Sequence, residues 1–580
     1  MAQSADDLLR AHQPIFETRD KEKVVTPLVR DLRQHLTGDY DTIVSTLGAA
    51  VTLLLLVACA NVAAVMLARA LIRRREMGIR VAVGASRTRL LRQLLVENLL
   101  LSAAGAVLGL VVGNWAIQLL VESLPDQAPR WASFTLDARM VMFTLASCVV
   151  TAVLFGWAPA LHAMHADLRS TVAADSGGST PAIRGRRTLR ALVVAEFALA
   201  SLMFVCGGLL VRAYDRVKNV DPGFDPNGVM TFTVSLPGVT YTDDTARLSF
   251  IERLESRLRE LPGVTHAGAI SCAPVSNCHW GVFYFAEGAP PRAPGDPQPI
   301  ILNRLAAHGY FPTMGIRLKR GRFFTKQDGR ENAGEPSTII VNETFAKTLW
   351  PDGKDPIGQR VRQGEKAPWL TVVGVVADVK HYGLERDVRP GVYLPLPRIP
   401  VSTISFAAKT AGDPAALIAT ARAIVREMDP QLPIYNARTM AERMALSLTL
   451  RAAYSWMLAV FAAIALLLAL GGSYGVTSYL VSQRTRELGI RVALGAQRAD
   501  ISRTVLQSSL GVVAVGMLIG IAGAIGAGRY LSSLLFGVPP YDTLILAVAA
   551  ASLAATGFLA NWLPARRAAR VDPMVSLRAD

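Results

Sequence analysis

The sequence predicts a multi-span α-helical membrane protein with one extracytoplasmic α+β domain and a tandem repeat of three-helix units. Three observations predict this fold. Hydrophobic residues make up 51% of the 580 residues and lie in long apolar runs, which is typical of membrane spans. One arginine-rich stretch occurs twice. Between its two copies lies a long segment of mixed polarity, whose pattern predicts both strands and amphipathic helices.

The repeated stretch reads RRREMGIRVAVGASRTR near the start and QRTRELGIRVALGAQRAD near the end. The two copies align 411 residues apart without a gap. Their identical positions include Glu76, Gly78, Arg80, Gly84 and Arg87 in the first copy and Glu487, Gly489, Arg491, Gly495 and Arg498 in the second. An ordinary cytoplasmic loop explains the arginines through contact with lipid phosphates. It does not explain the retained Glu, Gly-Ile-Arg and Gly-Ala. The repetition therefore predicts one functional element that is used twice.

Seven apolar runs are long enough to cross a bilayer. They cover about residues 43–67, 99–121 and 140–161 in a first unit (43–165), residues 191–211 alone, and about 454–481, 505–531 and 543–563 in a second unit (454–580). Arginines flank both repeated stretches, the linker 166–190 and the carboxyl-terminal tail, so the positive-inside rule makes these cytoplasmic. We expect a multi-pass protein of the plasma (inner) membrane.

Residues 213–450 are then delivered to the periplasmic or extracellular side. TFTVSL, TIIV and WLTVVGVVADV are typical of strands, and ARLSFIERLESRLREL and PAALIATARAIVREM of amphipathic helices. Together they predict an α+β domain. Cys272 and Cys278 lie close together within it. In an exported domain they are either a disulfide or two unrelated thiols, and the sequence leaves both readings open.

Several residues inside the apolar runs predict contacts between helices. Asn61 is expected to form a hydrogen bond between helices, and Glu196 to snorkel or to pair. Small-residue stripes, which let another helix approach closely, predict helix packing at Gly105, Gly109 and Gly113 in the first copy and at Gly516 and Gly520 in the second.

Other functional classes find little support. The net charge is +16, but no nucleic-acid-binding motif accompanies it, so we expect no nucleic-acid partner. The match to G-x-S-x-G around Ser473 lies inside an apolar run, where a catalytic nucleophile is not expected. His162 and His165 lack a third ligand. No G-x-x-x-x-G-K-[ST] occurs. We expect no enzyme activity, no catalytic residues, no metal and no cofactor.

Three groups of motifs resemble a known family. They are the paired R-E-[LM]-G-I-R-x-A-[LV]-G-A-x-R stretches, the closing P-A-R-R-A-x-x-x-D-P-x-x-x-L-R, and, in the middle domain, YFPTMGIRLKRGRFF, VNETFAKTLWP, DPIGQRV and VVGVVADVKHYGL. They resemble the MacB/FtsX family of ABC-transporter permeases, and the middle motifs resemble its periplasmic core domain. Two copies in one chain are similar to the duplicated permeases called ADOP.

The resemblance implies a permease that couples ATP hydrolysis on a separate cytoplasmic ABC ATPase to motion of the outer domain. Its task would be export of amphiphilic cargo or lipoprotein release, with a periplasmic adaptor as a further partner. The alternative is a non-transporting signal transducer that regulates an envelope enzyme. The ten repeated residues would contact the ATPase.

The layout of the two copies leads to two further expectations. Two copies in one bilayer-embedded chain predict a pseudo-dimeric single chain. The first copy has no opening span and no outer domain within the sequence. Residues 1–42 are therefore expected to be the remnant of a first periplasmic domain, in a chain shortened at its amino terminus. The alternative is a seven-span protein whose short amino-terminal tail is translocated.

Overall fold

The computed structural model describes residues 41–72, 87–123, 137–150, 180–276, 278, 280–288, 299–330, 337–363 and 367–570. The chain divides into two compact units. One comprises residues 1–121, 133–211 and 454–580, and the other comprises residues 122–132 and 212–453.

The first repeat contributes three helices to the membrane unit. They are α1 (Asp41–Ile72), α2 (Arg87–Ser123) and α3 (Ala138–Val150). α1 and α2 extend beyond the predicted apolar runs, because no proline or glycine pair interrupts the polar turns that flank them. The first arginine-rich stretch up to residue 86 and the second half of the third predicted span lie outside the described residues.

A single long helix, α4 (Thr180–Lys218), follows the first repeat. The sequence predicts its apolar centre at 191–211, and the helix continues through arginine-rich turns on either side. Arg216 and Lys218 lie in its last turn, where cations interact favourably with the partial negative charge of the helix terminus.

The second unit is an α+β domain. Its elements are β1 (Val229–Ser235), α5 (Asp244–Arg259), β2 (Val264–Ile270), β3 (Gly281–Val282), β4 (Tyr284–Ala286), β5 (Ile301–Ala306), α6 (Tyr310–Met314), β6 (Leu318–Gly321), β7 (Ser337–Asn342), α7 (Glu343–Leu349), β8 (Arg360–Gln363), β9 (Leu370–Val376), β10 (Gly391–Pro395), β11 (Thr403–Thr410), α8 (Leu417–Met428) and β12 (Ile434–Thr439). The predicted strands correspond to β1, β7 and β9, and the predicted helices to α5 and α8.

The twelve strands form one mixed sheet in the order β12-β1-β11-β2-β5-β10-β7-β9-β8-β4, with β3 beside β5 and β6 beside β9. The pairs β10–β5 and β7–β9 are parallel and the other pairs are antiparallel. A mixed sheet of this kind agrees with the predicted α+β class.

Alternating side chains divide the domain core between the two faces of the sheet. Phe232 of β1 and Phe406 of β11 are paired in register, and their rings stack at 5.3 Å on the face that α5 and α8 cover. Val229 and Ala407 belong to the second cluster, which includes Tyr310 of α6. Both faces of the sheet are therefore covered, and the sheet forms the centre of the domain.

The second repeat contains α9 (Met440–Ser482), α10 (Thr485–Ala493), α11 (Arg498–Tyr530) and α12 (Thr543–Ala568). Six of the described helices are long and apolar enough to span a membrane, namely α1, α2, α4, α9, α11 and α12. α3, which corresponds to the third predicted span, is described only as far as Val150.

Candidate functional site

The second arginine-rich stretch forms a short helix, α10, between α9 and α11. A tight turn links it to α11. Gly495 has a φ of 95°, a left-handed conformation that a residue with a Cβ adopts at a cost, and its N–H donates to the Val492 carbonyl at 3.0 Å. Gln497 caps α11 through a reciprocal capping box with Asp500. The turn and the cap fix where α11 begins.

One side of α10 is anchored to the membrane helices. Val492 packs with Ile501 at the start of α11 and with Ala568 at the end of α12. Gly489 is buried on the same helix. α10 is therefore seated on the ends of two spans, so its position depends on theirs.

The other side of α10 presents charged and apolar groups together. Glu487 and Arg491 are about half exposed and form an i,i+4 ion pair at 2.8 Å. Ile490 and Leu494 are exposed beside them, Leu494 by 82%. We call these four residues the α10 surface. Exposed apolar patches rimmed by polar residues mark protein or membrane interaction sites, and the α10 surface is a small patch of this kind.

The predicted coupling residues differ in their position and exposure, and four of them lie outside the described residues. Arg498 opens α11, and its repeat equivalent Arg87 opens α2. Gly489 is buried, whereas the sequence analysis grouped it with the contacting residues. The other first-copy residues, Glu76, Gly78, Arg80 and Gly84, lie outside the described residues.

Sequence reasoning missed Ile490 and Leu494. A signal was present, since the repeat equivalents are Ile79 and Val83. Both copies thus keep an apolar residue at these positions among arginines. In the second copy both residues are exposed, whereas Val492 of the same helix packs on the membrane helices.

A polar cluster lies inside the membrane unit where α1, α4 and α9 meet. Asn61 donates to the Leu468 carbonyl at 2.6 Å, which confirms the predicted bond between helices. Glu196 is fully buried, and neither carboxylate oxygen has a hydrogen-bond partner among the described residues. The expectation that Glu196 snorkels is wrong, because α4 is packed on the side that carries it. A Cβ on Gly472 would lie only 2.3–2.7 Å from both carboxylate oxygens of Glu196 and from Asn61 Oδ1.

This cluster joins equivalent positions of the two repeats. Asn61 and Gly472 are 411 residues apart, and so are Ala68 and Tyr479, which line one small cavity between α1 and α9. When equivalent positions of two copies touch each other, they lie beside the axis that relates the copies. α1 and α9 therefore touch at equivalent positions of the two repeats.

A second polar network lies within the second repeat. The buried Asn561 of α12 donates to Ser473 Oγ at 3.0 Å and to the Gly557 carbonyl at 2.6 Å, and Thr477 donates to its side chain. Ser473 is the central residue of the G-x-S-x-G match. It lies in the middle of α9, not on a strand-to-helix turn, and its partner is an amide. Its contacts are those of helix packing.

The glycine stripes differ between the repeats. Gly516 and Gly520 of α11 are buried against α4. Gly105, Gly109 and Gly113 of α2 have nothing within 4 Å among the described residues. For the first repeat, helix packing at these glycines stays a prediction.

Family models match both kinds of unit. The model of the FtsX-like permease C-terminal domain matches residues 48–168 and again 459–573. The two matches start 411 residues apart, as the arginine-rich stretches do. The model of the MacB-like periplasmic core domain matches residues 197–424. The chain belongs to the MacB/FtsX family of permeases.

Curated relatives of this family match over part of their length. The macrolide export ATP-binding/permease protein MacB of an Azoarcus species is 30% identical over 68% of this chain and 57% of its own. MacB of Marinobacter nauticus is 30% identical over 45% and 40%. The pyoverdine export ATP-binding/permease protein PvdT of Pseudomonas putida is 28% identical over 45% and 40%. The chain thus spans about half the length of the curated relatives it matches.

The periplasmic core domain contains a cavity of about 390 Å³ beside α5. Glu255 lies buried in its wall and accepts from Arg259 Nη2 at 2.7 Å. Burial raises the pKa of Glu255 to about 7, although the Arg259 charge opposes the rise. Burial also lowers the pKa of the neighbouring His308. Because Arg259 and Arg330 pair with the cavity's two glutamates, Glu255 and Glu252, these charges balance one another.

Asp328, at the edge of the same cavity, behaves differently from Glu255. Burial acts to raise its pKa, but hydrogen bonds from Arg322, Thr325 and Thr338 outweigh burial and hold the pKa below its usual range. Asp328 therefore stays ionised and ties the loop after β6 to β7.

Cys272 and Cys278 are joined by a disulfide, with their Cα atoms 5.9 Å apart. This is one of the two alternatives that the sequence leaves open. The bridged loop carries Val275 at a φ of 54°, and the Val275 N–H donates to the His381 carbonyl at 3.0 Å. A positive φ is rare for a β-branched residue, so the surrounding structure must hold it.

In the described part of the chain, no group of three or more His, Cys, Asp or Glu side chains is placed to hold a metal ion. His162 and His165 lie outside the described residues. The expectations of no metal, no cofactor and no enzyme activity stay predictions.

Proposed function

We propose that this chain is the permease subunit of an ABC-type exporter in the plasma (inner) membrane, and that a separate cytoplasmic ATPase drives it. The α10 surface carries the proposal. It combines exposed charged and apolar residues on a helix whose other side is packed on α11 and α12. A partner that moves α10 would move these two spans with it.

Two further observations support an ATPase outside these residues. The two relatives from Marinobacter nauticus and Pseudomonas putida are ATP-binding/permease proteins of which only 40% matches this chain. Residues 1–580 contain no G-x-x-x-x-G-K-[ST] phosphate-binding loop. ATP hydrolysis coupled to this permease is then supplied from elsewhere, and both arginine-rich stretches are its contact sites.

We also propose that one chain takes the place of a permease dimer. The contact between Asn61 and its repeat equivalent Gly472 supports this, because a duplicated unit can satisfy its own two-fold interface. The proposed task is export of amphiphilic cargo or lipoprotein release, with a periplasmic adaptor on the core domain. The relatives' names, which give macrolides and pyoverdine as exported molecules, support export.

The test is a pull-down from detergent-solubilised membranes of the source cell. We expect an ABC ATPase to accompany the native chain and to be lost from the double variant Glu76→Lys, Glu487→Lys. At Glu487, charge reversal replaces an acid that pairs with Arg491 by a like charge, which is unfavourable at close range. Glu76 is its repeat equivalent in the sequence. The double variant Asp352→Lys, Asp387→Lys is the matched control, because it makes the same charge change at two exposed sites of the core domain.

Loss of the ATPase from the double variant but not from the control would support both the pump and its coupling surface. If a folded native chain carries no ATPase, the proposal is wrong and a signal transducer becomes the better reading. If both variants keep the ATPase, the coupling surface lies elsewhere on the chain.

A further inference from the structure

A cavity of about 310 Å³ lies between α1 and α9 in the membrane unit. Each helix contributes one face to it, since the lining residues on each are spaced three or four positions apart. They are Val65, Ala68 and Arg69 of α1 and Gly475, Ser478, Tyr479 and Ser482 of α9. The cavity is therefore built by both repeats, and its wall is apolar apart from one guanidinium group and three hydroxyl groups.

The cavity lies at the carboxyl-terminal end of α9. This helix begins at Met440, directly after β12 of the extracytoplasmic domain, and ends at Ser482. Because its apolar stretch is long enough to cross the bilayer, its carboxyl-terminal end lies at the cytoplasmic surface. Arg69, in the last turn of α1, lines the same cavity and so lies at the same level.

Two polar groups of this cavity have no partner among the residues that the structure describes. Arg69 is exposed and forms no ion pair or hydrogen bond with them. Ser478 Oγ is buried, yet it has no hydrogen-bond partner there, which is unfavourable for a hydroxyl group. Ser482 Oγ already donates to the Tyr479 carbonyl at 2.8 Å. The cavity thus offers one positive charge and one hydroxyl donor, and none of its seven lining residues is acidic.

The polar groups lie on one side of the axis that relates the repeats. The repeat equivalents of Arg69, Ser478 and Ser482 are Leu480, Leu67 and Leu71. The contact between α1 and α9 therefore does not itself require an arginine or a serine at these positions. A ligand that meets the cavity from one side does explain them.

We propose that this cavity binds the head group of an anionic phospholipid of the cytoplasmic leaflet, with phosphatidylglycerol as its simplest form. Arg69 and Ser478 Oγ donate to the phosphate, and the glycerol and first acyl carbons lie on Val65 and Ala68. Basic pockets between transmembrane helices on the cytoplasmic side bind such head groups. A zwitterionic lipid fits less well, because no acidic lining residue pairs with its ammonium group. Free phosphate gains nothing from the apolar wall.

The test is native mass spectrometry of the delipidated full chain in detergent, titrated with phosphatidylglycerol and, in parallel, with phosphatidylcholine. The double variant Arg69→Gln, Ser478→Ala should weaken binding of the first phosphatidylglycerol by about tenfold, because both donors to the phosphate are removed. Phosphatidylcholine should bind the native chain more weakly than phosphatidylglycerol. Arg566→Gln is the control, because it removes an equal charge in the last turn of α12, outside the cavity lining.

A second pair of variants fills the cavity without changing its charge. Gly475 lines the cavity, and a Cβ there would meet nothing within 4 Å among the described residues. Gly475→Leu should therefore fold, occupy the place of the lipid and lower its affinity by about tenfold. Gly471 lies one turn earlier on α9, with equally open space, and does not line the cavity. Gly471→Leu should leave the affinity unchanged.

Reduced phosphatidylglycerol binding in the double variant and in Gly475→Leu, with both controls unchanged, supports the proposal. An equal loss for Arg566→Gln would overturn it, because the lipid would then respond only to the overall charge. Native-like binding by Gly475→Leu would also overturn it, since the lipid would lie elsewhere. Displacement of the lipid by millimolar inorganic phosphate would identify free phosphate as the ligand, again against the proposal.

Discussion

The two repeats have the same arginine-rich stretch at the same spacing, yet their membrane helices differ in what surrounds them. In the second repeat, α11 packs on both α4 and α12, and its glycines are buried. In the first repeat, the described part of α2 has no buried residue in its apolar stretch. Equivalent sequence therefore does not mean equivalent packing. A small-residue stripe shows that another helix can pack closely on this face. Whether one does depends on which helices lie nearby.

The largest expected difference concerns one substitution at equivalent positions. Gly520→Ala should destabilise the membrane unit by about 1–3 kcal/mol, because its Cβ would meet a backbone oxygen that cannot move alone. Gly109→Ala, where nothing lies within 4 Å among the described residues, should be neutral or stabilise by up to about 1 kcal/mol through helix propensity. Thermal unfolding in one detergent measures both.

Stability changes of opposite sign at Gly520 and Gly109 would confirm that a helix packs on the glycine stripe in the second repeat only. Equal losses of stability would mean that the purified chain already holds a helix on α2, and the comparison between the repeats would fail.

The next comparison concerns the two buried amides. Asn561→Ala should cost about 1–2 kcal/mol, because it leaves Ser473 and the Gly557 carbonyl without their partner inside the membrane unit. Asn61→Ala removes one bond, to the Leu468 carbonyl, and should cost about 0.6 kcal/mol. Chemical unfolding of the two variants gives the loss in free energy of unfolding for each. A larger loss for Asn61→Ala than for Asn561→Ala would contradict this expectation.

Much of this architecture is predictable from the sequence, for definite reasons. Apolar runs of span length and arginine clusters report directly on the bilayer, so α1, α2, α4, α9, α11 and α12 were each expected. Alternating apolar residues predicted β1, β7 and β9, because one face of each strand packs on the core. Helix ends were underestimated, since α4 and α9 continue as helices beyond the hydrophobic region.

The contacts between distant segments were harder to predict. Nothing local in the sequence places Glu196 beside Gly472, 276 residues later, because that contact depends on how three helices cross. Leu494 is apolar, yet it is 82% exposed, and nothing in its local sequence distinguishes it from a packed residue. Periodicity predicts which face of a helix is apolar, but not which neighbour covers it.

A matched pair in α9 tests the contact at the axis between the repeats. Gly472→Ala should destabilise by about 1 kcal/mol, because its Cβ would meet Glu196 and Asn61, whose side chains can shift by part of the distance. Gly471→Ala, with nothing within 4 Å among the described residues, should not destabilise. Combining Gly472→Ala with Glu196→Ala should recover part of the loss. Additive losses measured by thermal unfolding would show that the two sites do not touch.

The smallest expected effect on stability is at the α10 surface. Glu487→Gln removes an exposed i,i+4 ion pair, which contributes about 0.3–0.5 kcal/mol, so the unfolding temperature should hardly change. If Glu487 and its equivalent Glu76 bind an ATPase, Glu487→Gln should nevertheless lower the amount of ATPase that copurifies, and adding Glu76→Gln should lower it further. An unchanged stability with reduced binding separates recognition from folding at this surface. A large loss of stability would instead show that Glu487 is needed for folding. The repetition of this glutamate in both arginine-rich stretches would then be explained by packing and not by ATPase binding.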